Sequence, residues 1–359
     1  MVDQSWTGNS PKFCKLNQMK TIVILSADCG SGHKQAGNNL KHELTKLFPQ
    51  LHIEHRSINY FANAVQNFAL GRMWMAASTF RILRMVYAYL HSRVVSHDIC
   101  ADLLARSISS IGKKAELFYH SQEVVAVIAL HPAAACAAAV WKKSCPFYLC
   151  VVATDMIVHS GQTISGVDRI FCDPLSVVRG TRAEELSRSG VIVRVGMPIQ
   201  PAFFMQAPPR DSSLETNVLV TFGAKGVASN WHLNHLFRLA LLETGTRVRI
   251  ICGSNFLIRR KIEKQIAKLG LSDRVTSYGF ERDMSKHVLW ADLVVGKLGG
   301  LTVAEALASM TPLIAVEILP GQEEYNYEAA LRIGMCERAL DFSEFYSAFS
   351  RLRDRKSVV

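Results

Sequence analysis

The 359-residue chain contains no run of about 18 uninterrupted apolar residues, so the sequence predicts no transmembrane helix. Residues 1–19 are polar and mixed, without the apolar centre of a signal peptide. The expectation is therefore no export leader, with 1–18 a loose extension. Nine cysteines occur, but none forms a Cys-x-x-Cys pair or stands at metal-ligand spacing. Reduced, mostly buried thiols in a cytoplasmic chain are expected. No Asp-x-Asp stands at the loops singled out below, so no metal is expected. Acid is scarce: 30 acidic residues face 41 basic ones, a formal net charge of +11. Such a balance favours an anionic partner, namely a phospholipid surface, a nucleotide or a nucleic acid. No nucleic-acid motif appears, nor the aromatic-basic alternation of single-strand binders, so no nucleic acid is expected.

What is present is globular: 49% of residues are hydrophobic and 20% charged, which excludes a disordered chain. The length exceeds one ordinary core and suits two domains. The most informative stretch starts at the apolar run Asp292-Leu293-Val294-Val295, which reads as a buried strand. Gly296-Lys297-Leu298-Gly299-Gly300-Leu301 follows, and then a segment with helical spacing at Val303, Leu307 and Met310. This predicts a strand, a Gly-Gly turn and a helix opening at Thr302. Glycines let backbone approach a ligand, and the helix N-terminus offers free N–H groups suited to phosphate. Glu305 either reaches back to the Thr302 N–H in a capping box or faces the ligand, where a carboxylate accepts from two ribose hydroxyls.

After another strand-like run, Pro312 to Val316, comes Leu319-Pro320-Gly321-Gln322-Glu323-Glu324-Tyr325-Asn326. Loops after consecutive strands of a parallel sheet lie side by side at the ligand-binding edge. Gly-Gly-Leu-Thr alone is also an ordinary strand-to-helix turn. The two stretches together are more specific. They resemble the donor-sugar site of two-domain GT-B glycosyltransferases, above all the monogalactosyldiacylglycerol synthases and processive diacylglycerol glucosyltransferases. The lipid II-forming N-acetylglucosaminyltransferase is a more distant relative. Leu298 stands where the pattern usually has Pro.

The resemblance implies that Gly299, Gly300, Leu301 and Thr302 hold the pyrophosphate of a UDP-sugar. It implies that Glu305 binds the ribose, and that Lys297, Gln322, Glu323 and Asn326 approach the sugar or diphosphate. The UDP-sugar is a substrate, and no cofactor is implied.

The chain opens with a buried strand, Thr21 to Ser26, then Ala27-Asp28-Cys29-Gly30-Ser31-Gly32-His33 and a helix from about Lys34 to Phe48. A bare Gly-x-Gly is weak evidence of a dinucleotide site, and a histidine there is commonly a cap or surface residue. Gly30-Ser31-Gly32-His33-Lys34-Gln35-Ala36 matches the family's first loop, which makes His33 the candidate general base. Phe61 to His97 holds no acid, many aromatic and aliphatic residues, and Arg72, Trp74, Arg81, Arg84 and Arg93. It suits an anionic membrane interface or a buried helix pair with snorkelling arginines. In the family this region lies where the lipid acceptor enters.

Strands are also predicted at Val124–Leu130 and Phe147–Ala153, the second ending at Thr154-Asp155. Thr154-Asp155 and His159 resemble the family's Thr-Asp…His stretch, with Gln162 near the place of its usual Trp. Asp155 is the second candidate base, or the residue orienting the first. Gly196-Met197-Pro198-Ile199-Gln200-Pro201-Ala202-Phe203 matches the family's close of the first domain. A Pro/Ser-rich linker follows, Gln206 to Glu215. The strand–loop–helix rhythm then restarts at Asn217, with Gly223-Ala224-Lys225-Gly226 as its first loop. Gly223, Gly226 and Phe280 are expected at the donor edge.

The expected fold is α/β: GT-B, two Rossmann-like domains facing across a cleft. Residues 20–205 form the acceptor or lipid-binding domain, 215–340 the UDP-sugar-binding domain, and 341–359 a C-terminal tail. The expected reaction moves a hexose from a UDP-sugar to diacylglycerol with inversion, on a chain peripheral to the inner face of the membrane. Transfer of N-acetylglucosamine to a polyprenyl-linked acceptor, and a non-catalytic lipid- or nucleotide-binding relative, are the alternatives. Glucose and galactose are not distinguished.

Overall fold

The computed structural model describes residues 19–28, 31–68, 85, 89, 106–205, 215–224, 226 and 230–353, with backbone alone at 230–232. Gly30, Arg72, Trp74, Arg81, Arg84 and Lys225 lie outside the described residues, as does most of the acid-free segment.

The first half comprises β1 (Thr21–Ser26), α1 (Gly32–Leu47), β2 (His52–Ser57), α2 (Ser109–Phe118), β3 (Val124–Ala129), α3 (Pro132–Lys142), β4 (Tyr148–Val152), β5 (Ile157–His159), β6 (Arg169–Cys172), β7 (Val177–Arg179), α4 (Thr181–Arg188) and β8 (Ile192–Arg194). Six of these strands form a parallel sheet in the order β2-β1-β3-β4-β6-β8, while β5 and β7 pair separately. The central strands read as continuous apolar runs because helices cover both faces. Val23, Ile24 and Leu25 of β1 are fully buried. The start of α3 is written in its sequence: His131 caps the N-terminus and Pro132 occupies the first turn. Its small residues Ala133–Ala135, Cys136, Ala137 and Ala138 are all buried, which lets the helix lie flat on the sheet. Trp141 stacks on Tyr119 at 5.2 Å and so anchors the end of α2.

The second half comprises β9 (Thr216–Thr221), α5 (Asn230–Leu242), β10 (Thr246–Ile251), α6 (Phe256–Lys268), β11 (Val275–Tyr278), α7 (Ser285–Val288), β12 (Leu293–Lys297), α8 (Gly300–Ala308), β13 (Leu313–Glu317), α9 (Gln322–Arg332), β14 (Cys336–Arg338) and α10 (Phe342–Leu352). Its parallel sheet runs β11-β10-β9-β12-β13-β14, the Rossmann order. The boundary expected at 340 moves outward. Phe345, Phe349 and Leu352 recur at helical spacing along α10 and are buried in the second core, so Phe342–Leu352 is a helix packed on this domain. The Asp341 carboxylate starts it by accepting from the Glu344 N–H at 2.9 Å.

The two halves share an apolar core. Met156, Met197 and Phe203 of the first pack in one cluster with Leu298, Leu301 and Ala304 of the second. Burying a side chain such as Phe203 contributes about 1.5–3 kcal/mol, so this seam is a substantial contact. Ser309 Oγ donates to the Phe203 carbonyl at 3.1 Å, and Arg332 Nη2 to the Leu175 carbonyl at 2.7 Å. Among the described residues no helix is long and apolar enough to cross a membrane.

Candidate active site

Open parallel sheets bind ligands beyond the C-terminal ends of their strands, where the strand order reverses. In the first sheet that point lies between β1 and β3, and in the second between β9 and β12. The two reversal points face one another across a cavity of about 260 Å³. His33, Gly32, Thr154 and Asp155 line one wall; Gly223, Phe280, Lys297, Gly299, Gly300, Leu301, Thr302, Glu305, Gln322 and Glu323 line the other. Residues from six separate stretches of sequence are thereby gathered in one place.

His33 lies in the first turn of α1, which starts at Gly32, two residues earlier than the sequence pattern suggested. Its Nδ1 is 2.8 Å from Thr154 Oγ1. The His131 ring stands edge-on to it at 4.9 Å, with His131 Nδ1 accepting from the Ala133 N–H. Burial lowers the His33 pKa, opposed by the Asp155 carboxylate and the Leu130 backbone. Burial, with His33 and His159 nearby, pushes His131 well below the usual range. Both imidazoles are thus neutral at pH 7, the form in which a histidine accepts a proton.

On the opposite wall the Gly-Gly turn departs from expectation. The helix opens at Gly300, with Gly299 as N-cap, and no side chain caps it. Glu305 therefore makes no capping box. Its carboxyl is buried, faces the cavity and has no hydrogen-bond partner among the described residues, and burial alone raises its pKa to about 8. The first-turn N–H groups of α8 have no intrahelical acceptors and open to the cavity wall. Gly300 has a second role that the sequence did not announce. A Cβ there would fall 1.8 Å from the Thr154 carbonyl oxygen, so this glycine lets the two domains touch. Gly299 has nothing nearer than 3.9 Å and is the open member of the pair.

Glu323 is held by the Leu319 N–H, which donates to its Oε2 at 2.8 Å. Burial raises its pKa to about 7, opposed by that bond and by Lys297. Lys297 pairs with Glu317 at 3.3 Å. Gly321, the N-cap of α9, has φ +107°, a conformation that favours glycine.

Three expected site residues stand off the cavity. Gly226 has φ +61°, and its Cβ would lie 1.9 Å from the Cys252 carbonyl oxygen, so it packs loop on loop. His159 is buried, and its Nδ1 accepts from the Gly161 N–H at 3.0 Å, capping the turn at 160–162. Asn326 is fully buried at the domain seam, bonded to Asp155, Met156 and Leu298. Its partners are protein groups because α9 presses that part of its surface against the first domain. Conversely, Gln200, Thr221, Glu281, Arg282 and Met284 line the cavity without having been singled out. Thr221 was available from the rule that strand ends face the ligand. Gln200 sits within the Gly-x-Pro-x-x-Pro-x-Phe stretch, whose packing against the second half shows only in three dimensions.

Residues 217–332 match the glycosyltransferase family 28 C-terminal domain. The processive diacylglycerol beta-glucosyltransferase of Bacillus pumilus (strain SAFR-032) is 25% identical over 203 residues, 53% of this chain and 52% of that protein. The chloroplastic monogalactosyldiacylglycerol synthase 2 of Arabidopsis thaliana is 27% identical over 174 residues, 45% of this chain and 36% of that protein. The chain thus spans about half the length, or less, of these curated relatives. The crystal structure of the glycotransferase of kitacinnamycin matches in fold, with a TM-score of 0.62 over 94% of this chain and 93% of that one at 12% identity. The relatives are those that the Gly-Gly and Pro-Gly-Gln-Glu-Glu motifs resembled. The chain has the GT-B fold, and its second half matches the glycosyltransferase family 28 C-terminal domain.

Proposed function

We propose that the chain transfers a hexose from a UDP-sugar to a hydroxyl of diacylglycerol, with inversion, at an anionic membrane surface. The observation that carries this reading is the pairing of a neutral His33 on one wall of the cavity with the open N-terminus of α8 and Glu305 on the other. The acceptor identity rests on the names of the relatives, which act on diacylglycerol.

In this reading the α8 N-terminus binds the pyrophosphate and Glu305 the ribose hydroxyls, with Gln322 and Glu323 toward the hexose. The acceptor hydroxyl enters from the first domain and attacks the anomeric carbon as His33 takes its proton. The bond from that carbon to the β-phosphate oxygen breaks, and UDP leaves with its charge against the N–H groups of α8. Base and leaving group lie on opposite walls, which suits a single in-line displacement and hence inversion. Asp155 favours the imidazolium that forms.

The test incubates the full chain with labelled UDP-glucose or UDP-galactose and diacylglycerol vesicles, and resolves the lipid products. A glycolipid of inverted anomeric configuration is expected. Transfer only from UDP-N-acetylglucosamine to a polyprenyl-linked acceptor would replace the substrate assignment. UDP binding without turnover on any acceptor would overturn the enzymatic reading.

A further inference from the structure

The second domain carries a charged surface that the proposed reaction does not use. α6, Phe256–Lys268, holds five cations and one carboxylate. Ile262 and Ile266 bury its inner face against the sheet. On the outer face, Leu257, Arg260, Lys261, Lys264 and Lys268 fall in one stripe at helical spacing, and all are exposed. The one carboxylate, Glu263, lies off that stripe and pairs with Arg259 at 2.8 Å. Arg260, Lys264 and Lys268 enter no ion pair among the described residues.

The apolar residues at the start of the helix are as unusual as the charges. Phe256 is 67% and Leu257 78% exposed. Their position is fixed: the Asn255 side chain caps the helix through the Ile258 N–H and also donates to the Gly226 carbonyl, pinning this end to the ligand edge of the sheet. The loop after β11 lies alongside, with the Cβ position of Gly279 3.3 Å from Arg259 Nη1. Phe280 of that loop lines the cavity and is itself exposed. A cationic stripe headed by bare apolar side chains therefore runs up to the mouth of the site.

We infer that the outer face of α6, on the second domain, is a contact surface for an anionic lipid bilayer. The cations meet lipid phosphates while Phe256 and Leu257 enter the boundary of the acyl region. A nucleic acid would engage the same cations but leave the apolar side chains in water. With α6 on the bilayer, the cavity mouth opens beside the membrane, where a diacylglycerol hydroxyl lies. This deepens the membrane part of the proposed function and rests on it.

The test measures partition of the full chain onto phosphatidylcholine vesicles with and without phosphatidylglycerol, for the parent, R260Q/K264Q/K268Q and F256S/L257S. At about a fivefold change per surface cation, the triple variant should lose about a hundredfold in affinity for the anionic vesicles. F256S/L257S should weaken binding to the same vesicles and keep its salt dependence. All substituted side chains are exposed, so melting temperatures should match the parent. Transfer to a soluble short-chain diacylglycerol should also persist in both variants, which separates this surface from the reaction. Unchanged affinity of the triple variant for anionic vesicles overturns the inference. So does loss of polyanion binding in that variant with vesicle binding intact, an outcome that would assign the stripe to nucleic acid.

Discussion

Asn326 Nδ2 lies 2.9 Å from Asp155 Oδ1, a hydrogen bond between residues 171 positions apart that ties α9 of the second domain to the strand end beside His33. The same amide donates to the Leu298 carbonyl at 2.8 Å and accepts from the Met156 N–H at 2.8 Å. One buried side chain therefore fixes the donor loop, the Thr154–Met156 segment and, through Thr154, the His33 ring. Asn326→Ala leaves a buried N–H and a carboxylate without partners, which typically costs about 1–3 kcal/mol. Thermal unfolding should register that loss. In the proposed reaction, turnover should fall more than tenfold while UDP affinity by calorimetry stays close to the parent. An unaltered melting temperature would show that the seam does not depend on this residue.

The adjacent glycines make a contrasting pair. Gly300→Ala forces a Cβ to within 1.8 Å of the Thr154 carbonyl oxygen and 2.9 Å of Asp155 Oδ1, so the domains must separate. Overpacking of this kind costs about 1–3 kcal/mol. Gly299→Ala meets nothing within 3.4 Å and keeps an allowed φ of −64°. It should fold like the parent and lose only nucleotide affinity. Melting temperatures of the two variants, taken side by side, check the division of labour, and equal values would refute it.

These glycines also show how far the sequence could be read. Parallel strands were visible in the apolar runs of β1, β9 and β12, because strands buried on both faces leave no polar alternation. The two cavity loops of the second half were visible only as a pair, because a Gly-Gly turn alone is also an ordinary strand-to-helix turn. The contact of Asn326 with the first domain, and that of Gly300 with Thr154 beside its place on the cavity wall, could not be read ahead, because sequence position cannot tell a surface facing a ligand from one facing another domain. Only the closure of the two sheets on each other decides that. The packing of 342–352 was not legible for a similar reason: Phe345, Phe349 and Leu352 find their core with Val218, Leu236 and Val248, far earlier in the sequence.

Glu305 links the site to pH. Burial raises its pKa from the ordinary 4.5 to about 8, so the carboxyl is mostly protonated at pH 7. The folded state binds a proton that the unfolded state has released, and stability therefore falls as pH rises from about 4.5 to 8 and is level above. The slope is at most about 1.4 kcal/mol per pH unit. Denaturant unfolding from pH 5 to 9 should show the parent losing stability relative to Glu305→Gln across that range. Parallel curves would place the carboxyl in water. If Glu305 accepts from ribose hydroxyls as a carboxylate, UDP binding near pH 7 should release a proton, readable as a buffer-dependent calorimetric enthalpy that vanishes in Glu305→Gln.

His33 gives the sharpest test of the proposed chemistry. Its pKa is lowered, chiefly by burial, so the neutral form persists to a pH below the ordinary range of histidine. A base must be deprotonated to act, and the acid limb of kcat/KM should accordingly lie below about pH 6.5. Asp155 opposes that lowering. Asp155→Asn removes its charge and should move the acid limb further down, while the new amide oxygen can still accept from Asn326. His33→Ala should lower turnover by about a hundred- to ten-thousandfold, the usual worth of a general base. UDP affinity should be nearly unchanged, because the nucleotide is assigned to the opposite wall. A His33→Ala variant that turns over normally but melts earlier would reduce the histidine to a packing residue of the first turn. Loss of turnover in Asp155→Asn with His33→Ala still active would move the base to Asp155.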